Sequence, residues 1–356
     1  MTRVAELPTP GLLLDLEVLE ANLGRMAARA RSLGVSLRPH IKTHKCVEIA
    51  QRQQALGAQG LTVSTLYEAK VFADHGFTDL TWAFPVVINR ISEAATLAER
   101  VTLRLVVDTM AAVEALEKSG RPFHVFLKVD CGYHRAGMNP ESSAALDVAR
   151  RIAGSRTLKF CGILSHSGHA YHGKSISEIC GTAEQERSVM VNFAEKLRGE
   201  GITVPAVSVG STPAMSQVVN LDGITEARPG NYAFYDYTQV VLGSCTLQDV
   251  AVTVQSSVVS TQPGAKHSVI DAGALALSKD VGSELGPRTM GEILGRDVRV
   301  ASVSQEHGVT SGPLPVGTRV RIVPNHSCLT VAHFDEYVVV KGDEVVDRWK
   351  IWRGRD

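Results

Sequence analysis

This sequence is informative first through what it has little of. Neither sign of charge is in excess: 37 Lys and Arg face 37 Asp and Glu across 356 residues, so no general attraction to nucleic acid or to an anionic membrane is expected. No long apolar run is present. Stretches such as Gly11–Leu14 fall far short of the roughly 20 residues a membrane span needs, and Met1–Glu6 carries no apolar signal-peptide core. The expectation is a cytoplasmic protein with a small-molecule ligand and no nucleic-acid or membrane partner. There is no CxxC pair either. The six cysteines, Cys46, Cys131, Cys161, Cys180, Cys245 and Cys328, are scattered, and in a cytosolic chain most of them read as small buried apolar residues. The first strand is not followed by a Gly-rich dinucleotide loop. Internal repeats and low-complexity linkers are absent.

What is present is ordinary for a globular protein: 44% hydrophobic and 21% charged residues, in a length that suits one large domain and a smaller one. Leu16, Leu19, Leu23, Met26, Ala30 and Leu33 recur at helical spacing, and Gly34 ends the run. Short apolar segments then alternate with amphipathic ones. Strands are predicted near 36–42, 60–64, 80–84, 102–107, 123–130, 158–165, 206–210 and 231–235. Helices are predicted near 45–56, 65–74, 91–99, 109–118, 141–153 and 178–199. Eight strands separated by helices predict a (β/α)8 TIM-type barrel over 15–240. Beyond 240 the helical period fades. Val250–Thr261, His267–Ile270, Arg296–Ser304, Thr318–Val323 and Tyr337–Val340 are short and β-branched, which predicts a mainly β domain over 241–356. Residues 1–14 join it as an extra strand.

Five segments carry chemistry. Arg38-Pro39-His40-Ile41-Lys42-Thr43-His44-Lys45 ends the first barrel strand. Strand alternation points Arg38, His40 and Lys42 to one side, and the C-terminal strand ends of a barrel build its active site. A lysine there can hold an aldehyde cofactor as a Schiff base; a pair of solvated surface lysines is the bland reading. Val129–Gly137 ends another strand in a charged, Gly-rich turn in which Arg135 can donate to an oxyanion or form a loop salt bridge. His166, His169, Tyr171 and His172 crowd one strand end, a density that suits acid–base work or ligand placement. Gly210-Ser211-Thr212 and Arg228-Pro229-Gly230-Asn231 sit beside late strands, where backbone N–H groups cradle phosphates. In Pro324-Asn325-His326-Ser327-Cys328, an extended chain would face His326 and Cys328 the same way. Such an imidazole and thiolate can chelate a divalent cation, zinc first, with manganese or magnesium as alternatives.

Together and in this order, the segments resemble the fold-type III pyridoxal-phosphate enzymes, an alanine-racemase-like barrel followed by a β-domain, and within them the D-serine dehydratase / D-threonine aldolase branch. The most specific parts are Arg38–Lys45, Arg228–Tyr232 and Pro324–Cys328. The resemblance implies pyridoxal 5'-phosphate on Lys42 and a contact from Arg135 to its phenolic oxygen. It places Tyr171, with His169 or His172, beside the substrate, and it assigns the phosphate to Gly210, Ser211, Thr212, Gly230 and Asn231. Arg228 lies near the pyridine nitrogen, His40 near the cofactor, and His326 and Cys328 on the metal. It implies a homodimer and a D-amino acid substrate.

His-x-Cys at the metal pair is similar to the dehydratases, whereas the aldolases show His-x-Asp. The expected reaction is therefore elimination of water from a D-3-hydroxy amino acid, giving a 2-oxo acid and ammonia. Retro-aldol cleavage to glycine and an aldehyde is the alternative, with His172 as a candidate base. Racemization and binding of the cofactor without turnover are lesser alternatives. Arg38 and Lys45 are spare cations that can meet a second substrate carboxylate or stay on the surface.

Overall fold

The computed structural model describes residues 2–355, which form two compact units. One comprises Met26–Lys42, Ala50–Gly230 and the last residues from Gly354; the other comprises the residues up to Arg25, Thr43–Ile49 and Asn231–Arg353. The expected cuts at 15 and 240 thus differ from the observed ones. The helix Leu16–Ser32 starts in one unit and ends in the other, and the chain changes unit directly after Lys42 and after Gly230.

The first unit is the barrel. Its strands follow the order Ser36–Leu37, Glu226–Ala227, Ala206–Val209, Leu158–Leu164, Phe123–Lys128, Thr102–Val107, Asp79–Pro85 and Leu61–Val63. Each neighbouring pair is parallel, and a bridge between His40 and Thr62 joins the two ends. Strands covered on both faces need near-continuous apolar runs; Val125, Phe126 and Leu127 are accordingly all buried. The helices begin where hydroxyl side chains cap them. Thr65, Thr109, Ser142, Ser175 and Ser211 each accept the N–H three residues on, satisfying one of the free donors of the first turn. At Gly162 the backbone has φ +121°, and a Cβ would stand 1.9 Å from the Ala206 carbonyl oxygen, so only glycine lets these two strands close.

Two expectations are corrected here. The eighth strand is Glu226–Ala227, and 231–233 is a 3-10 turn. The first strand covers only Ser36–Leu37, and Lys42 lies in the 3-10 turn Ile41–Thr43. The reason is the same in both places. Pro39 and Pro229 have no N–H to extend a ladder, so the chain leaves the sheet at each Arg-Pro step.

Ion pairs line the N-terminal mouth of the barrel. Arg38 donates to Glu226 at 2.6 Å and to Asp79 at 2.5 Å, and Arg104 also donates to Asp79. Arg38 is therefore no spare cation for substrate; its guanidinium is buried in a structural network with Glu226 and Asp79.

The second unit is a nine-stranded sheet in the order Val269–Ile270, Gly308–Thr310, Arg299–Val303, Gly291–Ile293, Arg319–Val323, Val252–Ser260, Gly11–Asp15, Glu336–Lys341 and Glu344–Lys350. Val269–Ile270 also pairs with Val252–Ser260, which curls the sheet back on itself. Gly11–Asp15 is the extra strand expected from the N-terminus. It runs antiparallel to Val252–Ser260 and parallel to Glu336–Lys341. Three strands escaped the sequence reading: Gly291–Ile293 and Gly308–Thr310 are too short to show a period, and Glu344–Lys350 is a polar edge.

Candidate active site

The two Arg-Pro steps leave adjacent barrel strands in register, Ser36 opposite Glu226 and Leu37 opposite Ala227. Their backbones then follow the same path. Each passes into a 3-10 turn, Ile41–Thr43 or Asn231–Ala233, and each reaches a left-handed residue, Lys45 at φ 48° or Tyr235 at φ 53°. The His40 N–H donates to the Pro229 carbonyl at 2.9 Å, tying the exits together. The Lys42 N–H points at His40 Nδ1, 3.4 Å away. That nitrogen thus carries the lone pair, and Nε2 carries the proton in the neutral ring. Lys42 itself is half-buried.

Around these exits the barrel unit gathers positive charge. Lys128 ends its strand with 5% of its surface exposed, and among the described residues no hydrogen bond or ion pair reaches its Nζ. Burial, then Arg228 and Arg135, hold its ammonium down at about 8. Arg228 is buried and donates to Ser208 Oγ and to the Ser165 carbonyl. Burial, then the charges of Lys42 and Arg135, push the His166 imidazole well below its ordinary value. His166 Nδ1 meets the Gly210 carbonyl at 3.3 Å, so a neutral His166 carries its proton there and presents a lone pair at Nε2.

Tyr133 is a hub that sequence reasoning passed over. His169 stacks on it at 6.0 Å, His166 meets it edge-on at 6.1 Å, and the exposed Arg135 lies 4.8 Å from its centroid. A Cβ on Gly168 would stand 2.2 Å from the Tyr133 ring, so that glycine permits the stack. Tyr171 is half-buried and His172 exposed, both in the 3-10 turn Gly168–His172.

The late loops are more occupied than expected. The Gly210 N–H donates to Glu186 at 3.3 Å, and Ser211 Oγ caps the helix Thr212–Gln217. Glu186 also accepts from Ser165 and Ser167, each at 2.7 Å, which clamps both neighbours of His166. Gly210 has φ +113°, and a Cβ there would come within 3.3 Å of the Arg228 nitrogen. Gly230 is buried and belongs to the barrel unit. Asn231 belongs to the β unit, where its Nδ2 donates to Asp236 at 2.6 Å and to Ser327 at 3.0 Å.

In the β unit, His326 and Cys328 do not lie on a strand. His326 is the N-cap of the helix Ser327–Val331, and Cys328 sits in its first turn. The buried Asp236 accepts from the Ser327 N–H at 3.0 Å and pulls this segment into a helix start. The extended-chain argument for a shared face therefore fails, yet the cap geometry still brings the two side chains to hydrogen-bonding range. Burial lowers the His326 pKa, and Cys328 and Asp280 outweigh it, raising it to about 11. His326 Nδ1 meets Asp280 Oδ2 at 2.9 Å. Cys328 Sγ lies 3.2 Å from Thr43 Oγ1 and 3.8 Å from Asn231 Nδ2. Among the described residues no group of three or more His, Cys, Asp and Glu converges as a metal cage.

The arrangement fits both implied groups. Lys42, Lys128, Arg135 and Arg228 neighbour one another or His166, and a buried ammonium without an anion calls for an anionic ligand. That suits a phosphorylated aldehyde. An imidazole tied through Nδ1 beside a thiol suits a borderline-soft divalent ion.

Two known domain families match most of the chain. The alanine racemase N-terminal domain family matches residues 14–238, and the putative serine dehydratase domain family matches residues 251–340. The sequence is 35% identical to the D-threo-3-hydroxyaspartate dehydratase of Delftia sp. (strain HT23) across 98% of both chains. It is 34% identical to the D-serine dehydratase of Dictyostelium discoideum, across 98% of this chain and 97% of that one. A cysteine-to-alanine variant of D-threo-3-hydroxyaspartate dehydratase, solved in its metal-free form, superposes with a TM-score of 0.95 at 34% identity over the whole of both chains. A histidine-to-alanine variant of that enzyme is also solved, altered two positions before the cysteine.

Proposed function

The chain belongs to the fold-type III family of pyridoxal-phosphate-dependent lyases that joins an alanine racemase N-terminal domain to a serine dehydratase domain, and from that premise we propose that it is a metal-assisted D-3-hydroxy amino acid dehydratase. The observation that carries the dehydratase reading is the pair His326 and Cys328 on one helix start, with the same His-x-Cys spacing as the two altered positions in the solved dehydratase. In this reading, residues 15–240 hold the cofactor, and 241–356 with 1–14 carry the metal, zinc by the softness of its thiolate ligand. The enzyme is cytoplasmic and homodimeric. The absence of a helix long and apolar enough to cross a membrane, among the described residues, is consistent with the first. The exposed Leu275, Val281, Leu285 and Leu329 of the β unit supply apolar surface for the second.

When bound, pyridoxal phosphate supplies an aldehyde for the substrate amine and a ring that withdraws electrons from Cα. The metal supplies Lewis acidity at the β-oxygen. The chain does the rest. Lys42 anchors the cofactor and then takes the Cα proton at Nζ. Arg228, buried and held by Ser208 and the Ser165 carbonyl, would face the ring nitrogen of the bound cofactor as a group that cannot surrender a proton. Arg135 and Lys128 balance negative charge on the cofactor's phenolic oxygen. Tyr171 and His169 line the substrate, with His172 at the outer edge of their turn. His40 orients the Lys42 backbone, and the Ser211-Thr212 and Gly230-Asn231 backbones receive the phosphate, while Gly210, whose N–H is taken by Glu186, supplies the φ of +113° that the turn needs.

The test is a product assay on D-serine, D-threonine and 3-hydroxy-D-aspartate. A 2-oxo acid with an equal amount of ammonia, abolished by a chelator and restored by zinc, is the expected result. Glycine from D-threonine without 2-oxo acid would establish the aldolase instead. Full turnover in metal-free protein would remove the roles given to His326 and Cys328.

A further inference from the structure

Asp280 lies 46 residues before His326 in the sequence, and its two carboxylate oxygens have different occupants. Oδ1 accepts the Gly282 N–H at 2.8 Å, and Oδ2 meets His326 Nδ1 at 2.9 Å. The rest of the residue is equally fixed. The Asp280 N–H donates to Ser278 Oγ at 3.2 Å, and its carbonyl accepts from Asn325 Nδ2 at 2.8 Å. Asn325 is fully buried, also donates to the Thr289 carbonyl at 2.5 Å, and directly precedes His326. The residue that leads into the imidazole is thus the one that holds the backbone of the carboxylate facing it.

We propose that Asp280 is a positioning residue that fixes His326 with its proton at Nδ1 and its lone pair at Nε2, and so sets the affinity of the metal site. The proposal rests on the reading of His326 and Cys328 as metal ligands. A carboxylate on the far nitrogen fixes the ring's tautomer and rotation and raises the basicity of the ligating nitrogen. Cys328, two residues along, has a separate partner in Thr43 Oγ1 at 3.2 Å. Asp280 therefore acts on the imidazole of the pair.

The experiment measures zinc affinity of the purified full-length protein, stripped with a chelator and titrated against a chromophoric competitor, for wild type, D280A, D280N and H326A. Loss of such a partner weakens metal binding about 10- to 100-fold, which is expected for D280A. D280N keeps an acceptor oxygen and is expected to lose less, about tenfold or under. In the zinc-loaded wild type, nitrogen NMR should show His326 bound through Nε2 with a slowly exchanging Nδ1 proton, and D280A should lose that proton signal. Circular dichroism and melting temperature of the metal-free variants control for folding; if D280A does not fold, D280N carries the test. Wild-type zinc affinity with an unchanged Nδ1 proton in D280A, or wild-type affinity in D280N if D280A does not fold, with H326A impaired, would overturn the role of Asp280 alone. No stoichiometric zinc in wild type, or undiminished binding by H326A, would overturn the metal reading, and this proposal with it.

Discussion

Replacing Lys128 with methionine isolates what the unbalanced charge of the site costs the fold. Lys128 is 5% exposed and carries a positive charge beside Arg228 and Arg135. Its affinity for a proton falls from 10.5 in the unfolded chain to about 8. At about 1.4 kcal/mol per tenfold change, this is a destabilization of roughly 3 kcal/mol at neutral pH. Methionine keeps most of the volume and removes the charge, so the cofactor-free K128M protein should be more stable by about 1–3 kcal/mol at pH 7, the range reflecting imperfect packing. The pH dependence has a definite sign. The folded pKa lies below the unfolded one, so the penalty is complete below about 8 and fades as pH rises toward 10.5. The advantage of K128M should shrink over that window. Urea unfolding of both proteins at pH 7 and at pH 10, followed by circular dichroism, measures it. Binding of cofactor should reverse the order, because an anion then uses the charge. A cofactor-free K128M protein no more stable than wild type at pH 7, or a pH-independent difference, would refute the reasoning.

At the other end of the barrel, E226Q breaks the 2.6 Å pair between Arg38 and Glu226, whose side chains are 5% and 9% exposed. Leaving a buried charge half-paired costs about 3–5 kcal/mol at most, and since Asp79 still holds Arg38, a loss of about 2–4 kcal/mol is expected in urea unfolding. Asp79 should give the barrel an acid-sensitive limb. Burial raises its pKa, but Arg38 and Arg104 outweigh it and hold the pKa below the ordinary 3.8, so its stabilization is present above 3.8 and is lost as pH falls through the lower folded value. The D79N protein should therefore show a flatter decline of melting temperature at acid pH than wild type. G162A forces a Cβ to 1.9 Å from the Ala206 carbonyl at a φ of +121°; strain at such a position costs at least about 1–3 kcal/mol, and soluble yield and melting temperature should both drop.

Much of this molecule was legible because its signals are local. The helix Leu16–Ser32 follows from leucines at three- and four-residue spacing, and the capping hydroxyls at Thr65, Thr109 and Ser142 stand where polar residues precede apolar runs. The eighth strand was misplaced because Phe234 and Tyr235 look like strand residues, while Pro229 two positions after Ala227 had already ended the ladder. The metal pair was read from an alternation that the helix cap at His326 does not have. The residues that sequence reasoning missed depend on partners far away in the chain. Asp280 matters through His326, Glu186 through Ser165 and Gly210, and Lys128 through Arg228. A lysine ending the apolar run Phe123–Lys128 was the one visible hint.

The central claim is that Lys42 carries the cofactor. Borohydride reduction of the holoenzyme followed by peptide mapping tests it most directly. The account predicts a single pyridoxyl group on Lys42 and none in the K42R protein. Label on Lys45 or Lys128, or no label at all, would contradict it.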